Sequence, residues 1–177
     1  NRIVASGEKN PRIVIREVSL KHFDRDVGII CHILNDAWSD NWGFVPFTES
    51  EIAYTAKSLK PLVKPELNRI AEYDGEPVAF MMTIPDFNQA LAKFNRPSGK
   101  PTLLGWARIA LWLWRPRQAN MRVPLMGVLK RLQSSRLASQ LAFMMIEYIR
   151  RSAAGRYTTK RAEIGWILED NQGMVAI

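Results

Sequence analysis

Leu125-Met-Gly-Val-Leu-Lys-Arg-Leu-Gln-Ser-Ser-Arg-Leu-Ala-Ser-Gln-Leu141 is the stretch on which the fold turns. Together with the four residues before it, its opening forms an apolar run over 121–129, as expected of a central strand buried on both faces. A short polar and basic turn follows. Beyond the turn, Leu137, Leu141, Met144, Met145 and Tyr148 fall on one helical face, so the spacing predicts a helix over 135–151, ended by Gly155. A strand, a tight turn and a helix in this order aim several backbone N–H groups and the positive end of the helix dipole at one point. That point is suited to a pyrophosphate.

Upstream, residues 12–18 are β-branched and alternating, which predicts a first strand. Val27, Ile30, Cys31, Leu34 and Trp38 recur at helical spacing over 24–38. Thr48-Glu-Ser-Glu51 has the form of a capping box and opens a second helix that runs to about Leu59, before Pro61. Two strand-like runs, 67–73 and 77–84, flank Asp74-Gly75-Glu76, a strong hairpin signal. Residues 86–119 are an insertion. A last strand is expected over 162–168, and Asn171 begins another helix. The order β-α-α-β-β-insertion-β-α-β-α predicts an α/β (α+β) mixed sheet with helices on its faces, in one domain over 12–177. Residues 1–11, polar and carrying Gly7 and Pro11, read as a tail.

The 177 residues are 47% hydrophobic and 24% charged, enough for a real core. Charge is uneven. Residues 1–95 hold 11 Lys/Arg against 13 Asp/Glu, residues 96–161 hold 14 against Glu147 alone, and residues 162–177 hold three acids, for a net +8. Such a block favours a polyanion: cofactor phosphates, nucleic acid or an anionic membrane face, with a merely solvated basic surface as the alternative. No nucleic-acid motif is present and the aromatics are not interleaved as stacking platforms, so nucleic acid is the weakest of these. The lone Cys31 sits among isoleucines and leucines and reads as a buried apolar residue. His22 and His32 have no partners at ligand spacing, so no metal site is expected. Ser134, Ser135 and Ser139 lack the setting of a serine hydrolase nucleophile, and no Walker or Gly-x-Gly-x-x-Gly loop occurs. The chain opens without a secretion signal, and no apolar run reaches a membrane span, so a cytoplasmic protein is expected. It begins at Asn1 and closes on the opening of a helix, which reads as a C-terminal part cut short.

On these residues the chain resembles the GNAT superfamily of acyl-CoA-dependent N-acyltransferases. The family's cofactor motif, Arg/Gln-x-x-Gly-x-Gly/Ala, falls on Gln133-Ser134-Ser135-Arg136-Leu137-Ala138. Gln133 and Ala138 fit it, and Arg136 stands where glycine is usual. A bacterial branch of the superfamily is resembled more closely, through the motif Asn35-x-Ala-Trp-x-x-Asn-Trp-Gly-Phe-Val-Pro-Phe-Thr48 and through Gly75-Glu-Pro-Val78, Pro85-Asp-x-Asn88 and Trp166-Ile-Leu-Glu-Asp-Asn171. The resemblance implies a GNAT-like fold whose fourth and fifth strands splay apart. It further implies acetyl-CoA or a longer acyl-CoA as co-substrate, and a small-molecule or peptide amine as acceptor. Backbone N–H groups around Gly127 and Val128 would polarise the thioester, the 133–138 loop would hold the pyrophosphate, and Asn171 would contact the cofactor arm. Glu163 is the candidate base, with a surface or ion-paired carboxylate as the alternative. Asn41 and Trp42 are candidate substrate-side residues, with simple packing as the alternative. The family's tyrosine acid would lie beyond Ile177. Arg136 also leaves open a second reading, a GNAT-fold binding module impaired in catalysis.

Residues 102–114 are apolar almost all round, interrupted by Arg108 and flanked by Lys100, Arg115 and Arg117. Three readings stand: a lid or core helix, a homodimer contact, or a peripheral membrane contact through an interfacial helix.

Overall fold

A computed structural model describes residues 2–61, 63–94, 102–114, 120–159 and 161–165. The elements are α1 (Arg2–Glu8), β1 (Ile13–Glu17), α2 (Phe23–Ala37), α3 (Glu49–Leu59), β2 (Arg69–Tyr73), β3 (Glu76–Pro85), α4 (Phe87–Phe94), α5 (Leu103–Trp114), β4 (Met121–Val128), α6 (Lys130–Gln133), α7 (Arg136–Ala153) and β5 (Ala162–Ile164). The strands form one sheet in the order β1-β2-β3-β4-β5. The first three pairings are antiparallel and the last, β4 with β5, is parallel. This is the predicted mixed α/β sheet.

Local chemistry sets most of these elements. Asp74 and Gly75 both take positive φ, 53° and 79°, the backbone a two-residue hairpin between β2 and β3 requires. At the start of α3, Thr48 Oγ1 accepts from Glu51 N while the Glu51 carboxylate accepts from Thr48 N at 2.9 Å, closing the predicted capping box. Gly155, at φ 78°, follows the end of α7. The strand expected from residue 67 starts at Arg69, because Pro65–Leu67 turns as a short 3-10 helix. Of the strand expected over 162–168, Ala162–Ile164 is described; the remainder and the helix expected from Asn171 lie outside the described residues.

The main core joins α2, α7 and the sheet through Ile33, Leu34, Leu67, Val78, Phe80, Leu141, Met144 and Met145. A smaller cluster under α2 and α3 contains Val18, Phe23, Val27, Cys31 and Ala56. Burial pushes the Cys31 thiol up from its ordinary value, so it stays protonated and apolar in behaviour.

Within the segment that reads as a tail, Arg2–Glu8 form α1, which buries Val4 and Gly7 against α7. A Cβ on Gly7 would stand 2.2 Å from Met144 Sδ, so the glycine that suggested a flexible segment is there for close helix contact. Arg151 and Glu8 tie the two helices at 2.6 Å.

Candidate active site

β4 is the element around which the site is built. Arg122 lies opposite Ile84 and Leu125 opposite Met82, so β4 carries one more residue than β3 over this interval. Pro124 falls there. It has no N–H to give to the ladder, and a bulge is where a strand tolerates it. On the far side, the β5 ladder spans Met121 to Val123, and Gly165 N donates to Val123 O at 3.3 Å. From Pro124 to Val128 that edge of β4 pairs with no strand among the described residues.

Strand alternation decides which amides face the open edge. Leu129 N donates to Val78 O at 2.9 Å, so Leu129, Gly127 and Leu125 are directed at β3. Met126 and Val128 are directed away from it. Their carbonyls are taken from outside the ladder, by Trp38 Nε1 at 3.3 Å and by Gln133 Nε2 at 3.0 Å. The N–H groups of Met126 and Val128 therefore share the open edge. Gly127 is spaced for packing: a Cβ there would stand 2.8 Å from Phe80 Cε1 and 3.4 Å from Ala37 Cβ.

The short polar and basic turn after β4 is one helical turn, α6. Gln133 Nε2 also donates to Ala37 O at 3.1 Å, so its amide clamps the end of α2 to the end of β4. Ser134 caps the C-terminus of α6. Ser135 caps α7: its Oγ accepts from Ala138 N at 3.3 Å and donates to Leu132 O at 2.6 Å. Ala138 is buried and Leu137 packs on the main core. Arg136 is exposed, at the first position of α7, with ordinary helical backbone. Its backbone conformation does not demand glycine, since among the described non-glycine residues Asp74 alone has a positive φ.

Around this helix start, Lys130 pairs with Asp40 at 2.5 Å and Arg131 with Glu76 at 2.6 Å. Arg136 has no ion pair among the described residues. The first turn of α7 holds no acid, so the N-terminal half-charge of its dipole and Arg136 add together. The structure thus brings Val128, Ser134, Ser135, Arg136 and Leu137 into one region.

The 35–48 segment is bound to the same region. Asn35 donates through Nδ2 to Phe47 O at 3.1 Å and accepts from Phe47 N at 2.9 Å, closing the loop. Asp36 Oδ2 accepts from Lys130 N at 2.7 Å. The rings of Trp38 and Phe44 meet edge to face at 5.9 Å. Asn41 holds the turn through its backbone, and Trp42 is 96% exposed, so packing accounts for Trp38 and Phe44 and leaves Trp42 unexplained. A largely apolar crevice of about 50 Å³ lies between α2 and α3, bordered by Met82 and Leu125.

Glu163 is half-buried on β5, opposite Arg122, with guanidinium groups of Arg122 and Arg161 at 3.4 and 3.5 Å. Four strand positions separate Arg122 from Met126, about 13 Å at the usual rise. Asn171 lies outside the described residues. Among the described residues no cluster of three or more His, Cys, Asp or Glu is placed to hold a metal ion. Sequence reasoning missed Met126, Asp36, Asp40 and Phe80. The first lies in the quoted stretch, but its direction depends on a register that only the folded sheet supplies.

No family model matches the chain. It is 39% identical over 168 residues to a bacterial ceramide synthase of Caulobacter vibrioides, covering 93% of this chain and 42% of that protein. It is 39% identical over 166 residues to protein YghO of Escherichia coli, covering 92% of this chain and 41% of that one. The chain thus spans about two fifths of the length of the curated relatives it matches. Among solved structures, it superposes on the aminoglycoside N-acetyltransferase AAC(6')-Iy in complex with CoA with a TM-score of 0.52 at 12% identity, over 94% of this chain and 87% of that one. An aminoglycoside acetyltransferase from an uncultured soil metagenomic sample gives 0.51 at 6% identity, over 94% and 86%. The chain therefore has the GNAT fold of these acetyltransferases, a mixed five-stranded sheet with helices on its faces.

Proposed function

We propose that the protein transfers an acyl group from an acyl-CoA to an amine. The observation that carries this reading is the edge of β4 from Pro124 to Val128, which pairs with no strand among the described residues, with the N–H groups of Met126 and Val128 beside the start of α7. The CoA pyrophosphate would lie against the α7 start, held by the amides of Arg136 and Leu137, the Ser134–Ser135 turn and the Arg136 guanidinium. The thioester carbonyl would accept from the edge amides, which stabilise negative charge as it develops on oxygen. A neutral amine attacks the carbonyl carbon, and the tetrahedral intermediate collapses with loss of the CoA thiolate to leave an amide. The proton released by the amine needs an acceptor. Glu163 serves only through a water relay, given its distance along the strand. Asn41 and Trp42 would meet the acceptor side.

An amine carried by an apolar body is the acceptor favoured here. The Caulobacter relative is named a ceramide synthase, and a ceramide is an amide of a lipid amine. The largely apolar crevice beside Leu125 suits a few methylene groups of such a body. CoA and acyl-CoAs of increasing length should raise the melting temperature, and longer chains should bind more tightly than acetyl-CoA by calorimetry. A flat chain-length series would remove the apolar preference. One observation favours a second reading, a binding module impaired in catalysis: the arginine at 136 where close backbone approach of a phosphate calls for glycine. No shift in melting temperature with millimolar CoA would select it.

A further inference from the structure

α5 carries a surface that the acyl-transfer reading does not use. α5 packs mainly on α4, with Gly105 and Ile109 buried. Leu103, Leu104, Trp106 and Leu111 are 89, 62, 52 and 61% exposed. At 100° per residue, Leu103, Ala107 and Leu111 run down the outward side, with Leu104 and Arg108 on one flank and Trp106 on the other. The helix turns its apolar side outward, so it is not the core helix that its composition allowed. A contiguous row of this kind marks a surface that something covers.

Charge separates the candidates. From residue 87 to 121, the stretch of sequence around α5, the chain has six Lys/Arg and no acid. A two-fold contact through α5 would set Arg108 against its own copy, and the 87–121 segment supplies no carboxylate to offset it. An anionic lipid surface offers what the helix lacks: an acyl boundary for the leucines, an interface level for tryptophan and headgroup charge for the cations. Twelve residues reach about 18 Å, short of the roughly 30 Å hydrocarbon layer. Among the described residues no helix is long and apolar enough to cross a membrane. We propose that α5 docks the protein on an anionic membrane, lying in the plane of the interface.

Flotation of the full chain with phosphatidylcholine vesicles, with and without about 40 mol% phosphatidylglycerol, tests this. The chain should float with the anionic vesicles, and L103D/L111D should bind them at least tenfold more weakly. Arg108→Glu should weaken binding to the anionic vesicles and leave binding to neutral ones unchanged. Brominated-chain lipids should quench tryptophan emission of the unaltered chain, which gives a readout independent of any variant's folding. Failure of the chain to float, floating unaffected by L103D/L111D, or absence of quenching would each overturn the proposal. So would a dimer in sedimentation equilibrium that L103D/L111D dissociates, since that gives the face to a second copy. The stabilisation by CoA should be the same in these variants, so a failed flotation leaves the acyl-transfer reading standing.

Discussion

Arg136 occupies a position that electrostatics disfavours in the absence of a ligand. A cation at the first position of a helix opposes the positive end of the dipole, at a cost of about 0.3–1 kcal/mol. An anion at the same point reverses the sign, and a charge-assisted hydrogen bond to phosphate contributes about 1.5–3 kcal/mol. Arg136→Gly should therefore weaken CoA binding about tenfold in titration calorimetry while leaving the free protein as stable or slightly more so. Unchanged affinity would show that the side chain takes no part. Gly127 makes the opposite case, in which the missing side chain matters. Its Cβ direction is filled by the buried Phe80 ring. Gly127→Ala should destabilise by about 1–3 kcal/mol, read as a lowered denaturation midpoint. Neutral behaviour would mean that β3 and β4 shift apart more easily than their packing suggests.

Among the elements, the end of α2 and the α6 turn are locked to β4 and to each other by Trp38, Gln133 and the Asp36 carboxylate. Trp38→Phe keeps the edge contact with Phe44 and removes the bond to Met126 O. It should cost about 1 kcal/mol and loosen the open edge, so that CoA binding weakens along with stability. If only stability falls, the clamp does not position the edge. These ties also show where legibility in the sequence stops. The hairpin at Asp74-Gly75, the capping box at Thr48 and the helix after Ser135 follow from residues close together in the chain, and the sequence predicts each of them. The Trp38–Met126 bond joins positions 88 apart, which no local pattern encodes. α1 was hidden for a related reason. Gly7 and Pro11 carry the chemistry of a loop, and only contact with Met144 shows that the glycine serves packing. The bulge was legible in part, since Pro124 in an apolar run is anomalous for a central strand, yet its register needed β3.

At the scale of the whole molecule, Asp26 joins α2 to the first strand and the turn after it. Fully buried, it accepts from Arg16 at 2.8 and 3.1 Å, from Ser19 N at 2.8 Å and from Arg25 at 3.0 Å, and Arg16 continues to Glu72 on β2. Burial alone pushes its carboxyl up, but the hydrogen bonds from Arg16, Ser19 and Arg25 outweigh burial and hold it below the ordinary range. Glu147, between Arg150 and Arg151, is pulled to about 2 by their hydrogen bonds. A carboxylate with a depressed folded pKa contributes stability that is present above its unfolded value and lost as pH falls through the folded one. Stability should thus be level from neutral pH to about 5 and fall steeply below about 4. Asp26→Asn removes the charge and leaves Arg16 half-paired. It should cost about 3 kcal/mol at pH 7, the low end for a broken buried pair, because Arg16 keeps some solvent. The cost should shrink in acid, since the unaltered protein loses there what the variant has already lost. Denaturant midpoints for both proteins between pH 7 and 3 check this, and parallel curves would mean that the acid transition belongs to other carboxylates.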